Sequence, residues 1–321
     1  MRRTSYSHDI TIISPNNAVD SYYVLSAYQR GGVNRALETS HTAGGKGINM
    51  ARAVRNLGGS PLCIGILGGH SGNFIASELQ RENIAYDMVW TNHETRRCST
   101  TWIEGDQDNT VILDPGEVVE PKVHFELREK SLLHAHDAPF TVLIGSLPPG
   151  FSPDYYASLV TKYKEKSVWV CIDCSAQALH LAADAGATLI KVNAEEFCLA
   201  FGFERRMLTW HSMLDTYQRL VPYGTRIMII TDGAQGAYVF GEESEPFKVR
   251  TQVDTWISTA GAGDTFMAGI LLALGDNKSL KNAATAASAA AAASTQKFGC
   301  GIIDPTQIDF YLRQTSIEIL R

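Results

Sequence analysis

The chain has 321 residues, 45% hydrophobic and 19% charged, which supplies enough apolar side chains for one large core or two ordinary ones. Its formal net charge of −6 and pI of about 5.9 argue against a nucleic-acid surface. Met1-Arg2-Arg3 runs into polar residues rather than a secretory apolar segment, and no apolar run reaches the ~18 residues of a membrane span, so a cytoplasmic protein with no membrane partner is expected.

In chain order, Ile10–Ser14 opens as an apolar strand. Ser21–Thr42 then alternates polar with apolar residues and reads as antiparallel strands. A helix is expected over Ile48–Leu57, a strand over Pro61–Ile66 and a helix over Ser71–Glu82. Thr95–Leu113 is a second alternating stretch of antiparallel character. Strands at Thr141–Ile144, Val168–Ile172 and Leu189–Val192 then take turns with helices at Pro153–Lys166, Ala176–Ala185, Ala194–Phe201 and Met207–Leu220. Strands Arg226–Thr231 and Ala237–Phe240 precede the helices Thr265–Leu274 and Lys281–Gln296. Within the last, Ala283–Ser294 is nearly all small residues; alanine is the best helix former, so a buried, closely packed helix is expected. This βαβ rhythm predicts an α/β fold with a mainly parallel central sheet, as one domain over residues 1–321.

Six cysteines are scattered along the chain. Cys171 and Cys174 have Cys-x-x-Cys spacing but end a strand-like run, where residues three apart face opposite sides, so buried thiols are expected rather than a metal or redox pair. His134-Ala135-His136 reads as helix-surface or loop histidine.

Two glycine clusters carry chemistry. Ser258-Thr259-Ala260-Gly261-Ala262-Gly263-Asp264-Thr265-Phe266 places small residues and one carboxylate before an apolar helix. Glycines free the backbone N–H groups to converge, and the helix start adds unpaired donors and the positive dipole end, which suits a phosphate. A carboxylate repels phosphate, so Asp264 needs another task, and accepting the proton of a hydroxyl that attacks phosphorus is the natural one. The competing structural reading is a glycine loop with a helix cap. Thr42-Ala43-Gly44-Gly45-Lys46-Gly47-Ile48-Asn49-Met50-Ala51-Arg52-Ala53-Val54 is also a glycine cluster entering an apolar helix, and Lys46 and Asn49 offer donors there. It lacks the Walker and dinucleotide spacings.

Together these segments resemble the two signatures of the ribokinase-like carbohydrate kinases of the phosphofructokinase B type. The likeness runs nearly end to end. Asn16-Asn17-Ala18-Val19-Asp20 is similar to an Asn-Pro-Ala-Leu-Asp opening, Gly32-Val33-Asn34-Arg35-Ala36 to a Val-Asn-Arg element and Thr95-Arg96 to a Thr-Arg strand. Gly145-Ser146-Leu147-Pro148-Pro149-Gly150 matches the loop of the hexose-phosphate members, and Lys191-Val192-Asn193-Ala194-Glu195-Glu196 resembles Lys-Pro-Asn-x-x-Glu. Phe298-Gly299-Cys300-Gly301 stands where members carry Gly-Thr-Gly near the nucleotide.

The resemblance implies a three-layer αβα core with a small β-sheet lid, formed by residues 21–42 and 95–113, over a sugar. It implies transfer of the ATP γ-phosphoryl group to a ketohexose phosphate, with fructose 1-phosphate preferred, then tagatose 6-phosphate, then fructose 6-phosphate. Asp264 would be the base, and the amides of Gly261, Ala262 and Gly263 would stabilise the transferring group. Asp20, Gly44, Gly45 and Asn49 would meet the sugar. Lys46 and Arg96, with Arg35 assisting from the lid, would bind the phosphate already on the substrate. Lys191, Thr231, Gly233, Gly236, Gly261, Gly263 and Gly299 would line the nucleotide. Asn193 and Glu196 would act through water on Mg²⁺, although spacing alone makes Glu196 an exposed helix carboxylate. A homodimer through the lids would be the assembly. Departures from the pattern are Asn17 for proline, His70 for Asp, Cys98 near an expected Asn, Asp232 in Thr231-Asp232-Gly233, and Ser258 where ribokinases proper carry Asp and bind a monovalent cation. The readings weighed against a kinase are a non-catalytic sugar-phosphate or nucleotide sensor on the same fold, and an NAD-dependent enzyme.

Overall fold

The computed structural model describes residues 6–104 and 109–321. Strands β1 (Ile10–Ser14), β4 (Pro61–Gly68), β5 (Ala85–Thr91), β8 (Phe140–Ile144), β9 (Trp169–Asp173), β10 (Leu189–Asn193) and β11 (Ile227–Thr231) pair in parallel, in the order β11-β10-β9-β8-β1-β4-β5. Three antiparallel strands extend the edge beyond β11: β12 (Ala237–Gly241), β13 (Ser244–Thr251) and β14 (Thr315–Ile319). The central runs are continuously apolar because both faces are covered. Ile10 and Ile12 point into one core while Ile13 points into the other, and Ile229 and Ile230 divide the same way.

Helices α1 (Lys46–Asn56), α2 (Gly69–Arg81), α8 (Ala262–Gly275) and α9 (Leu280–Ser294) cover one face. Helices α3 (Pro121–Leu133), α4 (Tyr155–Glu165), α5 (Ala176–Asp184), α6 (Ala194–Phe201) and α7 (Trp210–Leu220) cover the other. These are the three expected layers. The alanine-rich helix is buried against α8, where a Cβ on Gly269 would come within 3.0 Å of the Ala287 Cα. Helix α7 starts later than expected, at Trp210, because Thr209 and Ser212 form a reciprocal cap there. The six cysteines are buried free thiols, and Cys171 and Cys174 lie in opposite cores. His134 ends α3 between Asp137 and Asp87, at 2.6 and 3.0 Å, and His136 is exposed.

The lid differs from expectation. Strands β2 (Ala18–Leu25), β3 (Glu38–Gly44), β6 (Arg97–Ile103) and β7 (Asn109–Ile112) form a separate sheet in the order β3-β2-β6-β7. Its two outer ladders are antiparallel, but β2 and β6 pair in parallel, so the sheet is mixed. The first strand also starts earlier than residue 21, and residues 26–37 hold no strand. Residues 105–108 of the second lid segment lie outside the described residues. The apolar lid residues do not share one face: Tyr22, Val24, Trp102 and Val111 lie with Asp20 on the register, whereas Leu25 and Ile103 point the other way. Tyr22 and Trp102 close on Phe298, with ring centroids at 5.3 and 5.5 Å.

Candidate active site

Chain order reverses beside β1, whose neighbours are β4 on one side and β8 on the other. Open α/β sheets bind ligands at such a point, outside the carboxyl ends of the strands. Here those ends deliver Ser14, Gly145, Asp173, Asn193 and Thr231, and the N-termini of α1 and α8 arrive above them. Gly45 caps α1 with φ 91° and Gly261 caps α8 with φ 77°, both in the left-handed region that glycine tolerates.

Asp264 is the third residue of α8 and only 6% exposed. Burial, then repulsion from Asp173, raises its carboxyl to about 7 against the pull of Lys46, Lys191 and Asn49. Lys191 lies against the first turn of α8, where a Cβ on Gly263 would sit 2.9 Å from its Nζ. Asp173, fully buried at the end of β9, accepts from Lys191 at 2.6 Å and from Lys46 at 2.7 Å. Burial alone would raise that carboxyl, but Lys191 and Lys46 hold it below the ordinary carboxylate value. Asp173 was missed by sequence reasoning, which weighed that segment only for its cysteines; a carboxylate ending an apolar strand was the available signal.

Lys46 also donates to Glu196 Oε1 at 2.7 Å. The structure therefore brings Lys46 to Asp173 and Glu196, and Arg96 has other partners. Arg96 donates to the backbone oxygens of Asn16 at 2.9 Å and Asp114 at 2.8 Å, and its buried Nε has no partner among the described residues. It lines a cavity of about 370 Å³ with Ser71, Glu94, Thr95, Arg97 and Gly116 among its walls. Glu196 is not the exposed carboxylate that spacing suggested: its side chain is 16% exposed and forms a capping box with Asn193.

Asp20 sits on β2 with its carboxylate over Gly44, where a Cβ would fall 2.0 Å from Oδ2. Burial raises its carboxyl to about 6, against the Gly45 amide and the charges of Arg96 and Arg52. Asn49 is buried on α1 and its Oδ1 has no partner among the described residues. At the carboxyl ends of β10 and β11, Thr231 donates to the Val192 carbonyl at 3.3 Å. Gly233 and Gly236 turn the chain into β12 at φ 50° and 95°; a Cβ on Gly233 would meet open space, whereas one on Gly236 would strike the Val249 carbonyl at 2.2 Å. Gly299 takes φ 106° beside Cys300, whose Sγ lies 3.3 Å from the Tyr22 hydroxyl. Arg35 lies exposed on the 26–37 segment, and no ion pair or hydrogen bond among the described residues carries it to Asp20 or Arg96.

A buried carboxylate beside two helix N-termini, the buried Lys191 and the part-exposed Lys46, under a β-sheet lid, is the architecture of a phosphoryl-transfer enzyme on a ribokinase-like fold. Residues 11–307 match the model of the pfkB family carbohydrate kinases, and the chain belongs to that family. Phosphofructokinase-2 from Escherichia coli, solved in complex with potassium, is similar at 25% identity and a TM-score of 0.88, with 95% of this chain and 98% of that one covered. The same Escherichia coli protein has been solved with fructose-6-phosphate and in a tetrameric inhibited form, each at 25% identity to this chain. A protein described as a possible 1-phosphofructokinase from Thermotoga maritima shares the fold at 20% identity and a TM-score of 0.88, covering 98% of this chain and all of that one. Ribokinase from Arabidopsis thaliana, solved with ribose and ATP, shares it at 18% and a TM-score of 0.75, over 95% and 99%. The chain is thus an ATP-dependent sugar kinase, which sets aside the sensor and NAD-dependent readings. Among the described residues, no helix is long and apolar enough to cross a membrane.

Proposed function

We propose that the chain, acting as one catalytic unit over residues 1–321, phosphorylates a ketohexose phosphate, with fructose 1-phosphate converted to fructose 1,6-bisphosphate. The observation that carries this reading is Asp264, a carboxylate buried in the first turn of α8 whose proton affinity is set near neutrality. The α8 amides hold the transferring phosphoryl group while Asp264 accepts the proton of the attacking hydroxyl. Asp20 and the unpaired Asn49 Oδ1 bind sugar hydroxyls. Arg96 binds the substrate's own phosphate through its unpaired Nε. Lys46, held by Asp173 and Glu196, serves the transferring phosphate instead.

Mg²⁺ fits this site as a companion of the nucleotide. Glu196 accepts from Lys46 and from the Asn193 N–H, so a bare protein cage is ill suited, and Glu196 and Asn193 would hold Mg²⁺ through water. When bound it neutralises phosphate charge.

Release of ADP across a panel of phosphorylated hexoses tests the substrate. Fructose 1-phosphate is expected to give the highest kcat/KM, with tagatose 6-phosphate and fructose 6-phosphate following. Preference for an unphosphorylated sugar would overturn the reading.

The two raised carboxyls set the pH dependence. Both act ionised, and a raised pKa keeps the inactive protonated form to higher pH. kcat/KM for the sugar phosphate is therefore expected to fall as pH drops through about 7 for Asp264 and to steepen below about 6 for Asp20. An acid limb at the ordinary carboxylate value of about 4 would contradict both assignments.

We also propose a homodimer through the lids. Val111 and Ile112 on β7 and Leu113 just beyond it are 50%, 62% and 68% exposed, apolar side chains at the edge of a sheet too small to cover itself. Two-fold pairing is the commonest closed assembly. Light scattering at micromolar concentration is expected to give twice the 35.1 kDa chain mass, and Ile112→Lys to give the chain mass. A wild-type monomer would contradict the model.

A further inference from the structure

Arg52 lies on the buried face of α1, 7% exposed, and no sequence motif singled it out. Its Nη2 donates to the Ala43 carbonyl at 2.8 Å and its Nη1 to the Cys300 carbonyl at 3.0 Å. Glu82, at the end of α2, holds the same guanidinium bidentately, at 2.7 Å to Nε and 2.9 Å to Nη2. The two carbonyls belong to opposite halves of the site. Ala43 precedes Gly44 and Gly45, over which Asp20 sits. Cys300 backs the α8 N-terminus: a Cβ on Gly261 would come within 2.8 Å of the Cys300 Cβ. The neighbouring Gly301 is held to α1 by Asn56 Nδ2 at 3.0 Å, and its own Cβ would strike the Asn49 carbonyl at 2.2 Å.

We propose that Arg52, oriented by Glu82, is a positioning residue that couples the sugar half-site to the nucleotide half-site. The guanidinium is planar and rigid, with its donors in a fixed fork. Displacing the Ala43 carbonyl turns the fork and strains the bond to Cys300, and the reverse holds equally. A sugar phosphate that fixes the Gly44–Gly45 turn therefore also fixes the 299–301 loop before ATP arrives. Coupling of this kind is reciprocal, so ATP tightens the sugar phosphate by the same factor. The inference builds on the kinase reading above.

The test compares wild type with Arg52→Lys and Glu82→Gln. Lysine keeps the charge, but a single ammonium does not reproduce the fork. Titration calorimetry reads the affinity of a non-hydrolysable ATP analogue with Mg²⁺, alone and with the saturating phosphohexose that wild type turns over best. Wild type is expected to show coupling of about 5-fold or more, within the usual range of such effects. Arg52→Lys is expected to reduce it to about 2-fold or less, and Glu82→Gln to an intermediate value, with each ligand alone changed by under about 3-fold. Weaker binding of each ligand alone with the coupling factor intact would show a merely structural role and overturn the proposal, as would a wild type without coupling. Amide exchange in the ligand-free variants gives a second reading. Residues 43–45 and 299–301 should lose protection together in Arg52→Lys while α9 keeps its own, and loosening of one segment alone would overturn the strut. If no phosphohexose is turned over, the kinase reading fails, and the exchange result still decides the role of Arg52.

Discussion

Asp264→Asn is expected to lower kcat on the order of 10²–10⁴-fold, the usual contribution of a positioned general base. The substitution keeps shape and hydrogen bonding but cannot accept a proton. It also removes one negative charge facing Asp173, so the fold should hold or gain stability. ATP affinity should stay close to wild type, because the α8 amides proposed to meet phosphate are backbone groups. Steady-state turnover with equilibrium nucleotide binding checks both halves. Near-normal turnover would remove Asp264 from the chemistry.

Arg96→Ala is expected to raise KM for the sugar phosphate about tenfold to hundredfold, since a hydrogen bond to a charged group contributes roughly 1.5–3 kcal/mol. KM for ATP should change little, because Arg96 contacts the Asn16 and Asp114 carbonyls and not the α8 or β11 side of the site. Arg96→Lys should recover part of the loss, as it restores charge without the fork. The split between the two KM values is the diagnostic. Equal weakening of both substrates would indicate a collapsed Asn16–Asp20 segment rather than a lost phosphate contact.

The parts of the site built from neighbouring residues were legible in the sequence. Gly261-Ala262-Gly263-Asp264 spells a helix start with a carboxylate because backbone conformation and side-chain type act there over four consecutive positions. The buried alanine helix and the apolar strands were readable for the same local reason. Asp173 was not, because its meaning comes from Lys46, 127 positions away, and from Lys191 on the next strand. Arg52 was hidden in the same way: its Cys300 partner is 248 positions distant. Alternation in Ser21–Thr42 and Thr95–Leu113 revealed strands but carried no direction, so the parallel pairing of β2 with β6 was beyond it. Strands β5 and β14, both at sheet edges, lack the continuous apolar run of the central strands. Helix α3 was overlooked because Phe125 and Leu133 are exposed on it and blur its apolar stripe.

The most direct test follows phosphorus itself. Phosphorus NMR of the enzyme with ATP, Mg²⁺ and fructose 1-phosphate reads where the γ-phosphoryl group goes. The account predicts that the γ resonance declines as a second phosphomonoester grows on the sugar, one for each ADP formed. ATP consumed with only inorganic phosphate appearing, or no transfer to any of the three ketohexose phosphates, would contradict it.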